Sequence, residues 1–176
     1  MFKQAFYFQT MRKYVALFGT LFNDIYISRT DNNNKSQAFI RVPITYAPKE
    51  KMLARVIGDP GIDRETATVP LPLMSFEMTS VMYDSSRKLR STGRSVVKDL
   101  DNPSKLKYQY NPVPYNFGFR LHIYVKNAED GTKIVEQILP FFTPDFTVSA
   151  NIIPEMDTYM DIPVILNTIE QSDSYE

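Results

Sequence analysis

The stretch Phe117-Gly-Phe-Arg-Leu-His-Ile-Tyr-Val-Lys126 alternates apolar residues with glycine, charged or polar residues at every second position. A period of two predicts a β-strand that turns one face towards a hydrophobic core. The predicted core face consists of Phe117, Phe119, Leu121, Ile123 and Val125. This is the clearest strand pattern in the chain, and it indicates that a β-sheet organises the fold.

Three helices are predicted around this strand. Apolar residues recur at three- and four-residue spacing through residues 14–25 and again through residues 134–142, which is the period of one helical face. Thr10 can cap the first of these helices with its side chain, and Gly131 precedes the last. A short helix opened by proline is predicted over residues 48–57.

Five further strands complete the predicted sheet, at residues 25–29, 39–46, 74–83, 146–153 and 162–170. Pro43 lies in the second of them, and proline cannot donate to a strand ladder, so an edge position, a bulge or an outward-facing amide is implied. With 176 residues and 43% hydrophobic content, the chain can bury one core and is short for two. We therefore predict an α+β fold: one domain over residues 1–176, with a mainly antiparallel twisted sheet and two or three packed helices.

The chain offers few groups for catalysis or for metal binding. It has no cysteine, which excludes disulfides, thiolate zinc sites and cysteine nucleophiles. His122 is the only histidine, and we interpret it as a surface or interface residue. No G-x-S-x-G, P-loop or dinucleotide fingerprint occurs. The sequence thus predicts no enzyme, no catalytic residue, no cofactor and no metal, and it has no apolar run approaching the roughly 20 residues of a membrane span.

Residues 84–107 form a basic segment with seven Lys and Arg, three Asp and no aromatic residue. A segment of this composition between two strands is predicted to be a long exposed loop or a protruding hairpin. Its candidate contacts with another subunit or a partner protein are Arg87, Lys88, Arg90 and Arg94. The same cations could bind phosphates, but base stacking needs aromatic residues among them, so a protein partner is favoured.

Charge is divided unevenly along the chain, although the net charge is zero. Residues 1–128 carry 19 Lys and Arg against 10 Asp and Glu, whereas residues 129–176 carry one against 10. The two parts could neutralise each other within one fold. Alternatively, basic and acidic faces of neighbouring subunits meet head to tail. The acidic candidates at such an interface are Glu155, Asp157 and Asp161.

Three stretches of the chain together resemble the tail terminator family of T4-like contractile phages, whose members are also called tail sheath stabilisers and completion proteins. They are Arg12-Lys-Tyr14 with Ala16 to Phe22 and Ile25-x-Ile27-x-Arg29; Phe39 to Ala47 with Lys49-Glu50; and Gln109-Tyr-Asn-Pro112 and Pro114, continuing to Ile134 to Pro140, Phe142, Pro144 and Phe146. The match is weaker between residues 58 and 107. The family looks longer beyond Glu176, with another strand and a proline-rich tail, so this chain is expected to be a short or truncated version.

The resemblance implies a non-enzymatic structural virion protein, made in the host cytoplasm and located at the neck-proximal end of the tail. It implies a homo-oligomeric ring, expected to be a hexamer, that caps the tail tube and the last sheath ring and joins them to neck and head-completion proteins. Genome DNA would pass through the ring without specific binding, and no membrane is involved. The alternative is a monomeric accessory module that contacts nucleic acid or acts as a chaperone during phage assembly.

Overall fold

The computed structural model describes residues 5, 7, 9–30, 36–57, 70–98, 105–143, 145–153 and 158–172. Its helices are α1 (Thr10–Leu21), α2 (Lys49–Ile57) and α3 (Ala128–Ile138), the last followed by a 3-10 turn (Leu139–Phe141). Its strands are β1 (Tyr26–Thr30), β2 (Ser36–Arg41), β3 (Ile44–Tyr46), β4 (Leu73–Tyr83), β5 (Arg94–Lys98), β6 (Leu106–Tyr110), β7 (Tyr115–Tyr124), β8 (Asp145–Ile153) and β9 (Thr158–Ile165).

The described strands form four small sheets. In the three-stranded sheet β3-β4-β7, the long strands β4 and β7 are antiparallel and the short β3 runs parallel to β4. The pairs β1-β2, β5-β6 and β8-β9 are antiparallel two-stranded ribbons. The predicted α+β class, with mainly antiparallel pairing and three helices, is confirmed.

Helix α1 packs its aromatic stripe onto the sheet formed by β4 and β7. The Phe18 ring stacks on Phe119 with centroids 4.5 Å apart and also contacts Phe76 at 5.3 Å. Gly19 permits this close approach, because a Cβ at that position would lie 3.0 Å from the Phe76 ring. On the same core face of β7, Leu121 and Ile123 pack against the buried cluster, as the period of two predicts.

Helix α3 covers the ribbon β1-β2 and protects the outer edge of β1. The Lys133 ammonium donates to the Ser28 carbonyl at 3.3 Å, and the Gln137 amide donates to the Tyr26 carbonyl at 2.8 Å. The Arg29 guanidinium reaches the buried Asp130 carboxylate at 2.9 Å. Side chains of α3 therefore satisfy strand carbonyls that would otherwise be open to pairing with another strand.

Several predicted boundaries are wrong. Gln9 rather than Thr10 is the residue before α1, and no side-chain capping hydrogen bond is made there. Gly131 lies inside α3, which begins at Ala128. The predicted strand 39–46 is divided at Pro43 into β2 and β3, which belong to different sheets. The last strand ends at Ile165, so the predicted range 162–170 is displaced towards the C-terminus.

Candidate assembly surface

The basic segment contains β5 and the start of β6, and these two strands pair as an exposed ribbon, which we call the arm. The register pairs Arg94 with Tyr110, Val96 with Tyr108 and Lys98 with Leu106. Partners in an antiparallel pair share a face, and so do alternate residues along a strand. These six side chains therefore form one face, which we call the aromatic–basic face.

Arginine and tyrosine side chains interleave on the aromatic–basic face. The Arg94 guanidinium carbon lies 4.8 Å from the centre of the Tyr110 ring and 5.4 Å from that of Tyr108. The two rings contact each other edge to face with centroids 6.1 Å apart. Both Arg94 distances are within the range of cation–π attraction, which contributes about 0.5–1 kcal/mol at an exposed site. Arg94 is thus held over the two rings.

Residues 84–93 form the base of the arm and fold around the Asp84 carboxylate. That carboxylate accepts hydrogen bonds from the Ser86 amide at 2.9 Å, the Ser86 hydroxyl at 2.6 Å and the Arg87 guanidinium at 2.7 Å. The Arg87 guanidinium also donates to the Asn116 side chain at the start of β7. The Ser86 hydroxyl and then Arg87 hold the pKa of Asp84 well below its ordinary value. Arg87 therefore fastens the base to β7.

Arg90 and Lys88 belong to the base, outside the two strands that carry the aromatic–basic face. The Arg90 carbonyl accepts hydrogen bonds from the Asn111 side chain at 3.0 Å and from the Gly93 amide at 3.2 Å. Lys88 is exposed, and its backbone amide donates to the Ser85 carbonyl. Of the four cations that the sequence singled out, only Arg94 belongs to the aromatic–basic face.

Replacing Ser86 by alanine is expected to raise the pKa of Asp84, because the Ser86 hydroxyl contributes most to stabilising the ionised carboxylate. The depressed pKa makes Asp84 stabilising above the pKa of the unfolded carboxyl, and this contribution is lost as the pH falls through the folded pKa. NMR titration of the Asp84 side chain measures the shift. Ser85→Ala, at the exposed neighbour, is the control and should leave the midpoint of the Asp84 titration unchanged. An unchanged titration midpoint in Ser86→Ala would contradict the hydrogen bond between Ser86 and Asp84.

The ribbon β8-β9 has an exposed face of opposite charge. Asp161 pairs with Ser149, whose hydroxyl donates to the Asp161 carboxylate at 2.5 Å, and Asp145 pairs with Ile165. The exposed residues that the register places on this face, which we call the acidic face, are Asp145, Thr147, Ser149, Tyr159, Asp161, Pro163 and Ile165. The other two acidic candidates, Glu155 and Asp157, lie outside the described residues.

The tyrosines of the aromatic–basic face are the functional candidates that the sequence reasoning missed. The basic segment defined from composition ends at residue 107 and contains no aromatic residue, which argues against stacking of nucleic-acid bases on it. The interleaving arises because β5 pairs with a strand that continues to Tyr110. The signal was present in the sequence as the alternation of Leu106, Tyr108 and Tyr110, which has the period of a strand.

His122 is mostly buried, so the expectation of a surface position is wrong, while an interface position stays a prediction. Its side chain is 12% exposed, and its Nε2 atom lies 3.1 Å from a carboxylate oxygen of Glu77 on the neighbouring strand. Among the described residues, no group of three or more His, Cys, Asp and Glu side chains is placed to hold a metal ion. Within the same residues, no helix has the length and apolar character needed to cross a membrane.

Two comparisons with known proteins show what the chain is similar to. Residues 5–176 match the family described as T4-like virus Myoviridae tail sheath stabiliser. Over 148 residues the chain is 32% identical to "Tail completion protein gp15" of Enterobacteria phage T4, in an alignment that covers 82% of this chain and 53% of that protein. The chain therefore spans about half the length of this relative.

Proposed function

Because the chain belongs to the T4-like virus Myoviridae tail sheath stabiliser family, we propose that copies of it form a closed ring that completes and stabilises a contractile phage tail. Membership of this family confirms the resemblance found in the sequence. In the proposal six copies cap the tail tube and the last sheath ring and connect the tail to neck and head-completion proteins. The ring belongs to the virion, and its role is structural.

The observation that carries the proposal is the pair of unlike exposed faces on two separate ribbons. The aromatic–basic face and the acidic face differ in charge and in residue type, so one copy can use both at once with two neighbours. Contacts between two different patches are heterologous, and they generate a ring when the rotation between copies closes. A two-fold dimer would instead need one patch that complements itself.

Charge along the chain supports contact between these ribbons. Residues 84–115 carry seven Lys and Arg against three Asp and no Glu, whereas residues 145–176 carry seven Asp and Glu and no Lys or Arg. Opposite charges on two surfaces steer encounter and suppress wrong registers. The like-charged repulsion of arm against arm disfavours a two-fold dimer in which the two arms meet.

Native mass spectrometry of the purified chain over a range of concentrations, with negative-stain imaging, tests the proposal. We expect a species of six copies and ring-shaped particles that become fewer as salt is added, because exposed charge pairs are screened. Two-fold dimers would contradict the proposal. So would a chain that stays monomeric at every concentration and also fails to bind purified tails.

The aromatic–basic face also provides one observation for the alternative, a monomeric module that contacts nucleic acid. Cations interleaved with aromatic rings suit single-stranded nucleic acid, whose bases stack on tyrosine while the phosphates meet arginine and lysine. This alternative predicts a monomer that binds single-stranded DNA with strong salt dependence. A ring that does not bind single-stranded DNA would exclude the alternative.

A further inference from the structure

The aromatic–basic face is left uncovered by the chain that carries it. Its apolar members Val96, Leu106, Tyr108 and Tyr110 are between 53% and 64% exposed. An isolated two-stranded ribbon is marginally stable in water, and a cluster of exposed apolar side chains marks an interaction site. These exposed fractions already include any cover by the chain's own acidic face, so the acidic face of the same copy does not occupy this surface.

Backbone hydrogen bonds at the base of the arm tie the ribbon to the end of the long sheet. The Asn111 amide donates to the Gly93 carbonyl at 3.0 Å, and the Asp84 amide donates to the Pro114 carbonyl at 3.1 Å. The Tyr83 and Tyr115 rings meet edge to face across the adjoining end of the long sheet, with centroids 5.7 Å apart. A surface ordered before it binds loses less conformational entropy on association. The arm is thus organised for docking.

The acidic face is the complementary surface that the chain itself provides. It combines the carboxylates of Asp145 and Asp161 with the exposed apolar side chains of Tyr159 and Ile165, which are 66% and 61% exposed. The aromatic–basic face likewise combines cations with exposed apolar residues. Docking one on the other would cover both apolar sets while placing carboxylates opposite Arg94 and Lys98.

From this complementarity we infer that the aromatic–basic face of one copy docks on the acidic face of a second copy of this chain. The inference rests on the proposed function, because it names the two surfaces that meet between neighbours in the ring. A ribbon of two five-residue strands is about 17 Å long and about 10 Å wide, so its face covers roughly 170 Å², which is small beside the roughly 800 Å² per partner of a stable interface. The docked ribbons are therefore one part of the interface, and they set its register.

Cysteine crosslinking is a direct test, since the natural chain contains no cysteine. Full-length Val96→Cys, on the aromatic–basic face, is mixed with full-length Thr147→Cys, on the acidic face, and treated with a short bismaleimide crosslinker. The matched control is Val97→Cys mixed with Thr147→Cys, because Val97 is exposed on the opposite face of the same strand. We expect several-fold more covalent dimer from the first mixture, and none from Val96→Cys alone beyond the background of the untreated sample.

Native mass spectrometry of the same mixtures separates failure of this inference from failure of the proposed function. A ring that forms while the Val96→Cys mixture crosslinks no better than the Val97→Cys mixture would overturn the docking and leave the ring proposal standing. Absence of any oligomer in mixtures and in the natural chain would overturn both. Efficient crosslinking of Val96→Cys to itself would also overturn the inference, since it would mean that arms meet arms.

Discussion

Replacing Ile134 by alanine is expected to lower the free energy of unfolding by about 2–5 kcal/mol, because it removes buried methyl groups and leaves a cavity. The Ile134 side chain is 0% exposed and lies in a cluster with Ile27, Val42 and Met74. These residues come from α3, from β1, from the link between β2 and β3, and from β4, so the cavity opens where the helix, the ribbon and the long sheet meet. Urea denaturation followed by circular dichroism measures the change.

Ile169→Ala is the matched control for that measurement. It removes the same atoms from an isoleucine that is 54% exposed, and surface substitutions of this kind usually change stability by about 0.5 kcal/mol or less. If the two variants unfold at the same urea concentration, the burial of Ile134 beneath α3 is wrong.

The strands and helices that the sequence predicted well are those in which one face is buried. The alternation through Phe119, Leu121 and Ile123 follows from contact of that face with α1 and the core. The stripe containing Ile134 and Ile138 likewise follows from packing of α3 on the ribbon β1-β2. Burial imposes a period on the residue pattern, so periodic segments reveal both the type of element and the side that faces inward.

Pairing between distant segments could not be predicted in the same way. Pro43 divides a stretch that reads as one strand, because its ring nitrogen has no hydrogen to donate. The Pro43 carbonyl accepts a hydrogen bond from the Met74 amide at 2.8 Å. That bond places β3 beside β4 in a parallel pair, although the preceding strand belongs to another ribbon. Parallel and antiparallel neighbours use the same residue types, so the choice depends on the path of the chain.

The sequence predicted the charges of the candidate surface but not which side chains share a face. Composition identified a basic segment, but it could not show which of Arg87 and Arg94 is the better candidate for an interface. The two arginines differ only in their contacts. Arg87 is engaged with Asp84 and Asn116 at the base, whereas Arg94 lies over two exposed tyrosines. Register decides which side chains share a face, and register is fixed by long-range pairing that a residue pattern alone does not show.

The exposed tyrosines are therefore the residues most suited to act as anchors in assembly. Tyrosine is enriched among the few interface residues that carry most of the binding free energy, and losing one such anchor typically costs about 2 kcal/mol or more. A loss of about 2 kcal/mol weakens association about thirtyfold. In the free chain Tyr108 and Tyr110 contact mainly Arg94 and each other, so their removal should affect assembly far more than folding.

The double variant Tyr108→Ala with Tyr110→Ala is expected to raise the concentration needed for oligomer formation at least about thirtyfold, while its thermal unfolding stays close to that of the natural chain. Native mass spectrometry over a concentration series measures the first quantity and circular dichroism the second. The control is the double variant Val97→Ala with Gln109→Ala. It shortens two side chains that lie on the opposite face of the same ribbon. Since that face has no proposed partner, the control should assemble as the natural chain does. Equal assembly by both double variants would remove the aromatic–basic face from the interface.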